Sequence, residues 1–474
     1  MHDGDATWNE ARAELEAAAP PAEPPPAEAG QAGGAAGVAA RLAPLLIKIM
    51  VPGARGPEGR EPVDGLPIRV RAWDGSTIGP PGAPAFVIKH RRALRRLLWK
   101  PGELGFVRAY VAGELDIEGD VFAALDTVQR VMGGGAEPIR LSGDDKRDIV
   151  RTAVTLGAVG PEPKPPPEES APGRAERQGT GLDGHAGPMR EPAAFFARLF
   201  GDGLAHGTGS WDPPPGPHTD PHGHLDGDLD AAQSAAHEAV AERLGLHPGA
   251  RLLDLNCGWG AFARHAAVRH GARVVGLTRT SEQADHVRAM AAGTGAGVEA
   301  RGWDLAEAGD GPYDAIVGLA DVASLDRPAA RLSGLLAPGG RLVLQQPVRR
   351  PGPPRARRTF TSGYMFPDEG EPRPLGALAD ELEEAGLEVR GVAALREQHA
   401  RTLRAWAAGL QRHWAECAEL AGPGRARVWL LYLVTSALAC ENGRIGRHEI
   451  HAKRQDRGTR SGMDRALGPT VTSR

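Results

Sequence analysis

Cysteine is scarce in this sequence, with three in 474 residues, at 257, 417 and 440. They form no Cys-x-x-Cys pair, which argues against a thiolate zinc site or a disulfide framework and fits a reducing cytoplasm. Charge of one sign is also lacking: 56 Lys and Arg stand against 60 Asp and Glu, a net −4. No global basic field therefore points to nucleic acid. No uninterrupted apolar run reaches the ~20 residues that span a bilayer, and the longest helical apolar stretch, 428–440, stops short of it. The chain does not open on a basic region followed by an apolar one, so no signal peptide is expected. Aromatic residues make up only 5%, whereas glycine (64) and proline (41) abound.

What is there divides into segments. Residues 1–36 are rich in Ala, Pro, Glu and Gly and are expected to be disordered, because they cannot bury enough apolar surface to offset ordering. A first folded unit, 37–156, is read as a small α+β domain. It carries an alternating strand around Ile68–Trp73, a turn at Asp74-Gly75, a basic helix over 91–100 and a helix over 120–131. A Pro-rich stretch, 157–190, reads as an extended linker. The second unit, 191–453, alternates strands (251–255, 273–277, 298–302, 315–319, 341–344) with helices. This predicts a doubly wound, Rossmann-like α/β domain with its ligand at the carboxyl ends of the strands. A polar tail, 454–474, is expected to fray.

Within that domain Leu252-Leu253-Asp254-Leu255-Asn256-Cys257-Gly258-Trp259-Gly260 reads as strand, glycine turn and helix start. Glycines let backbone approach a ligand, and a helix N-terminus offers unpaired N–H groups, a geometry suited to a nucleoside cofactor. The second strand ends in Gly276-Leu277-Thr278-Arg279-Thr280-Ser281-Glu282-Gln283, which opens the next helix with a capping pattern. The third ends in Gly302-Trp303-Asp304, an indole able to stack on a purine and a carboxylate able to accept from its amino group. A partly buried core aromatic is the plainer reading of Trp303.

These runs resemble the S-adenosylmethionine-binding segments of cyclopropane-fatty-acyl-phospholipid synthases and the related mycolic acid methyltransferases: D-x-G-C-G-W-G, G-x-T-x-S-x-x-Q and a third-strand G-W-E. Asn256 stands at the first turn glycine and is expected to tolerate a left-handed φ there. The resemblance places Asp254, Asn256, Cys257, Gly258 and Gly260 in the first cofactor turn, Leu277, Thr278 and Gln283 near the ribose and methionine part, and Trp303 and Asp304 at the adenine. Further matches are Ala109–Asp116 to the family's small lipid-associated N-terminal domain, Tyr364–Pro367 to K-Y-I-F-P, Ala400–Trp406 to A-x-T-L-x-x-W, and 441–446 to its last helix exit.

The family transfers a methyl group to the cis double bond of a phospholipid acyl chain, and a bound bicarbonate takes the proton that closes the ring. The resemblance therefore implies phospholipid contact at the inner membrane face from the cytoplasm, with a homodimer as one state. Basic residues at 91–100 and 349–358 are candidates for headgroup contact. The family's cysteine, glutamate, histidine and tyrosine ligands fall on Thr208, Ala323, Gln345 and His399, and a last-helix cysteine on Ser436. Two readings follow. Thr208, Gln345 and His399 still bind an anion or water, with His399 or Glu397 taking the proton and a cyclopropane or methyl-branched product; or the chain is a non-enzymatic cofactor- or lipid-binding partner.

Overall fold

The computed structural model describes residues 37–50, 68–100, 102–131, 143–170, 189–211, 228–309, 311–320, 328–350, 359–366 and 372–455. The expectations for 1–36, for most of the 454–474 tail, for the basic run 351–358 and for the segment holding Ala323 lie outside these residues. The chain forms two compact units, which interleave in sequence. One comprises Met1–Arg177, Ala356–Asp368 and Trp406–Ala439; the other comprises Gln178–Arg355, Glu369–Ala405 and Cys440–Arg474.

The first unit holds a four-stranded sheet ordered β2-β1-β3-β4: β1 (Arg69–Arg71), β2 (Thr77–Ile78), β3 (Ala85–Ile88) and β4 (Leu115–Glu118). The β1–β2 hairpin turns at Asp74-Gly75, where Gly75 takes φ +80, a conformation that costs glycine nothing. Its helices are α1 (Val38–Met50), α2 (Arg91–Trp99), α3 (Glu103–Val111), α4 (Val121–Val131) and α5 (Gly143–Thr155).

The basic helix α2 is largely committed to internal pairs. Arg96 forms a bidentate pair with buried Glu114 at 2.8 and 3.2 Å, Arg95 donates to the Val159 carbonyl at 3.3 Å, and Lys100 lies 3.9 Å from Glu162. The start of the Pro-rich stretch is likewise packed rather than loose. Trp99 donates to the Gly160 carbonyl at 3.0 Å and Arg96 to that of Lys164 at 2.8 Å. Arg108 grips Glu169 at 2.7 and 2.9 Å and Glu162 at 3.0 Å. The Tyr364 hydroxyl adds a bond to Glu169 at 3.0 Å, so residues 359–366 join this unit although the sequence order suggested the other. Proline fixes an extended backbone, and such a backbone still packs when buried arginines hold its carbonyls and acids.

The second unit is built on a seven-stranded sheet ordered β10-β11-β9-β8-β5-β6-β7. Its strands are β5 (Arg251–Asp254), β6 (Arg273–Thr278), β7 (Val298–Gly302), β8 (Tyr313–Gly318), β9 (Leu336–Arg349), β10 (Leu387–Ala394) and β11 (Ile445–Arg454). The strands β5 to β9 pair in parallel, and β11 runs antiparallel to both its neighbours. Leu253, Leu277, Ile316 and Leu342 enter one core cluster, while Leu252, Val274, Ala315 and Val343 enter another. Successive side chains point to opposite faces of the sheet, so near-continuous apolar strands bury both. The strand order reverses at β5, which pairs with β6 on one side and β8 on the other. A crevice at the carboxyl ends follows from that topology.

The helices of this unit are α6 (Ala193–Phe200), α7 (Leu229–Leu244), α8 (Ala261–His270), α9 (Ser281–Thr294), α10 (Pro328–Leu335), α11 (Leu375–Glu384) and the first part of α12 (Arg396–Arg412). The remainder of α12, α13 (Trp414–Ala421) and nearly all of α14 (Pro423–Glu441) belong to the first unit. Among the described residues no helix is long and apolar enough to cross a membrane.

The Arg108–Glu169 pair is buried on both sides, so removing one partner strands a charge. Arg108→Met is expected to lower stability by about 3–5 kcal/mol, read from denaturant unfolding. A loss below 1 kcal/mol would mean that the packed Pro-rich segment does not depend on it.

Candidate active site

The first turn forms as the sequence pattern requires, with one change. Left-handed φ falls on Gly258 (+56) and Gly260 (+85), not on Asn256. The asparagine therefore needs no special tolerance; its N–H bonds Asp254 Oδ1 at 3.3 Å. A Cβ at Gly258 would meet nothing within 4 Å, so the turn opens onto space. Gly260 is the N-cap of α8 and no side chain caps that helix, leaving N–H groups for a ligand. Asp254 is 2% exposed, and burial pushes its carboxyl up to about 7 against the single backbone hydrogen bond. Cys257 is anchored by its N–H to the Leu277 carbonyl at 2.9 Å, and burial, reinforced by Asp254, raises its thiol well above the ordinary range. Its sulfur explains Gly276, where a Cβ would come within 2.5 Å of Sγ. Trp259 is buried against Phe196 at 5.8 Å and edge-on to His286 at 5.5 Å.

At the second strand end Thr280 Oγ1, the N-cap, accepts from Gln283 N, and Gln283 Oε1 reaches back past the cap to accept from Arg279 N, both at 3.1 Å, a variant of the capping box. Thr278 Oγ1 donates to the Arg301 carbonyl at 3.0 Å, and the Leu277 side chain lies in the core. At the third, the Trp303 indole donates to the Leu255 carbonyl at 2.9 Å and the Arg279 guanidinium lies 3.5 Å over its ring. Trp303 is thus a buried, cation-faced aromatic tying β7 to the first turn. Asp304 is exposed, with Oδ1 accepting from Ala306 N at 2.9 Å.

The predicted reaction-centre residues come together in part. Thr208 Oγ1 and His399 Nδ1 are 3.0 Å apart although 191 residues separate them. The contact is built by Thr402, whose hydroxyl accepts from Gly209 N and Trp211 Nε1, both at 3.0 Å, and donates to the Gln398 carbonyl at 2.8 Å. The Gln398 amide oxygen also accepts from Trp211 N at 2.8 Å. The loop that carries Thr208 is further bound to α7, through Ser210 N to Ala232 O at 2.8 Å and Gln233 Nε2 to Ala205 O at 2.6 Å. It enters through Leu204 at φ +49, the one non-glycine residue with positive φ among those described.

Gln345 and Glu397 take other partners. Gln345 Nε2 donates to Glu449 Oε2 at 2.9 Å, and Glu397 is ion-paired with Arg396. Sequence reasoning missed His206, Arg447, Glu449 and Arg279. Desolvation, then Arg447, then Arg279 lower His206 to about 3. Desolvation, Arg447 and His206 hold His399 well below the ordinary imidazole range. Arg447 is fixed by a 2.6 Å bond to the Leu319 carbonyl at the end of β8. Burial alone would raise Glu449, but the His451 hydrogen bond, Arg243 and Gln345 outweigh it and keep the carboxylate ionised. No local pattern marks these four, because each acts through a partner distant along the chain, as Glu449 does through Gln345 opposite it on β9.

Residues 222–450 match a sequence family described as mycolic acid cyclopropane synthetase. The chain is 29% identical over 416 residues to a probable fatty acid methyltransferase of Mycobacterium tuberculosis, covering 82% of this chain and 92% of that one. It is 34% identical over 195 residues to the cyclopropane mycolic acid synthase MmaA2 of Mycobacterium tuberculosis, covering 37% of this chain and 67% of that one. A solved coclaurine N-methyltransferase bound to N-methylheliamine and SAH superposes with a TM-score of 0.50 at 14% identity. That match covers 73% of this chain and 98% of that one, a likeness of fold.

The raised Asp254 carboxyl has a signed consequence. Between pH ~4 and 7 the folded chain keeps a proton that the unfolded chain loses, so this group's contribution to stability falls as pH rises through that window. Relative to Asp254→Asn, the parent is expected to lose thermal stability from pH 5 to 8. Melting curves of both proteins that run parallel across that range would refute the assignment.

Proposed function

The chain belongs to the mycolic acid cyclopropane synthetase family, and from that premise we propose that it is an S-adenosylmethionine-dependent methyltransferase acting on the cis double bond of unsaturated phospholipid acyl chains. The observation that carries the reading is the Thr208–His399 pair, held beside two arginines in the unit whose sheet bears the glycine cradle.

The cradle fits the cofactor: open space at Gly258, an uncapped α8 N-terminus and the buried Asp254. Asp254, Asn256, Cys257, Gly258 and Gly260 would hold its amino-acid end. Leu277, Thr278 and Gln283 would hold the ribose side, and Trp303 and Asp304 the adenine. When bound, it supplies the electrophilic methyl group that turns an alkene into a carbocation.

His399 is the proton acceptor in this reading. Burial and Arg447 keep it neutral without prior deprotonation. In the tautomer that donates Nδ1–H to Thr208, Nε2 receives the proton. Its low basicity is no obstacle, because a proton beside a carbocation is strongly acidic. Thr208 is a positioning residue that fixes the ring.

The bicarbonate implied by the family resemblance does not fit the residues present. Gln345 turns its amide to ionised Glu449 and leaves its own Oε1 buried without a hydrogen-bond partner among the described residues, a pair of acceptors that repels an anion. Direct proton loss to His399 accommodates two products: loss from the new methyl group closes a cyclopropane, and loss after a hydride shift within the chain leaves a methylene branch. Access to lipid requires contact with a bilayer surface, for which the basic stretch beginning at Arg349 and Arg350 is the candidate.

Expression in a host rich in monounsaturated phospholipids, followed by mass spectrometry of the acyl chains, tests this. The parent is expected to add one methylene to them, and Asp304→Ala to add less. His399→Ala should lower kcat by about 10²–10⁴ with KM little changed. With His399 neutral throughout, kcat/KM should show no imidazole titration between pH 5 and 8. Cofactor binding by calorimetry with unaltered lipids would instead indicate a non-enzymatic partner.

A further inference from the structure

Three side chains behind the cradle converge where the proposed chemistry does not use them. Glu238 lies on α7, and His265 and His270 lie on α8. His265 Nε2 stands 3.0 Å from Glu238 Oε2, and His270 Nε2 stands 3.4 Å from Glu238 Oε1. One ligand atom from each residue falls within 4.8 Å of the others, and the two imidazole centroids are 5.6 Å apart. Zinc binds imidazole nitrogen at about 2.0–2.1 Å and carboxylate oxygen at about 2.0–2.2 Å, so ligand atoms around a tetrahedral ion stand about 3.4 Å from one another. The two nitrogen–carboxylate separations are close to that edge length.

His270 Nε2 is buried and makes no hydrogen bond among the described residues, so in the Nδ1–H tautomer its lone pair is available to a metal ion.

We propose that Glu238, His265 and His270 form a three-ligand site for a divalent transition ion of the zinc class, with its remaining position open to solvent beside Glu238, whose side chain is 42% exposed. The ion clamps α7 to α8. The first helix holds the loop carrying Thr208 through Ala232 and Gln233, and the second begins at Gly260. Occupancy therefore stabilises both supports of the candidate active site by mass action.

The test uses the full chain, stripped with chelator and titrated with zinc chloride by calorimetry, with cobalt(II) as a visible-absorption probe. One saturable equivalent is expected, with a tetrahedral cobalt band and a rise in melting temperature on zinc addition. Glu238→Gln and His270→Ala should each weaken binding at least tenfold and abolish that rise. If His270→Ala fails to fold, the half-exposed Glu238→Gln decides alone. The sequence also contains His218, His222 and His224. Binding and stabilisation that persist unchanged in Glu238→Gln would assign the metal elsewhere and overturn the proposal, as would no saturable binding. Neither readout depends on methyl transfer.

Discussion

One hydroxyl, that of Thr402, sets the geometry of the candidate active site. It donates one hydrogen bond and accepts two, the full capacity of the group, and it is completely buried. Through it the 207–211 loop is fastened to α12 one turn beyond His399, with the Arg401 guanidinium 4.7 Å over the Trp211 ring as a second clasp. The donors of Gly209 and Trp211 that point at this hydroxyl belong to buried residues, so an unmade bond there costs the desolvation of a buried donor, about 1–3 kcal/mol. The threonine of the A-x-T-L motif thus has a structural reason to exist before any chemistry is considered.

The electrostatics follow from the same crowding. Two imidazoles and two arginines meet where the 204–211 loop, β6, α12 and β11 approach one another. Burial by itself disfavours a charge on either imidazole, and the arginines add repulsion, so the histidines remain neutral. The result is a basic nitrogen maintained in its unprotonated form by its surroundings. The nearby polar layer at Gln345, Glu449, His451 and Arg243 is different in kind, because it is saturated mainly within itself and keeps its carboxylate charged. A buried acid satisfied by such partners holds β9 and β11 in register, yet it offers an incoming anion nothing.

The first unit shows how misleading composition alone is. Its Pro-rich segment has few apolar side chains and reads as a spacer, but Glu162 and Glu169 are bound by Arg108, and the Gly160 and Lys164 carbonyls are bound by Trp99 and Arg96. Two of the four α2 arginines that looked suited to a lipid surface bind this stretch or its start, Arg96 at the Lys164 carbonyl and Arg95 at that of Val159. A basic stripe in sequence cannot announce whether its partner is a phosphate or a glutamate from another segment, since both satisfy a guanidinium equally well.

The sequence by itself determined the parallel sheet, its strand positions to within a few residues apart from the long β9, the glycine turn after β5 and the capping box that starts α9. These depend on local periodicity and on the φ that glycine alone adopts cheaply. It also named Thr208 and His399. Only the tertiary structure decided that these two touch, that Gln345 and Glu397 belong to other pairs, that Trp303 is faced by Arg279, and that β11 inserts into the sheet despite its charges. Each of those outcomes depends on which distant segment supplies the opposite charge or the missing hydrogen bond, and that partner is fixed by packing in three dimensions, not by spacing along the chain.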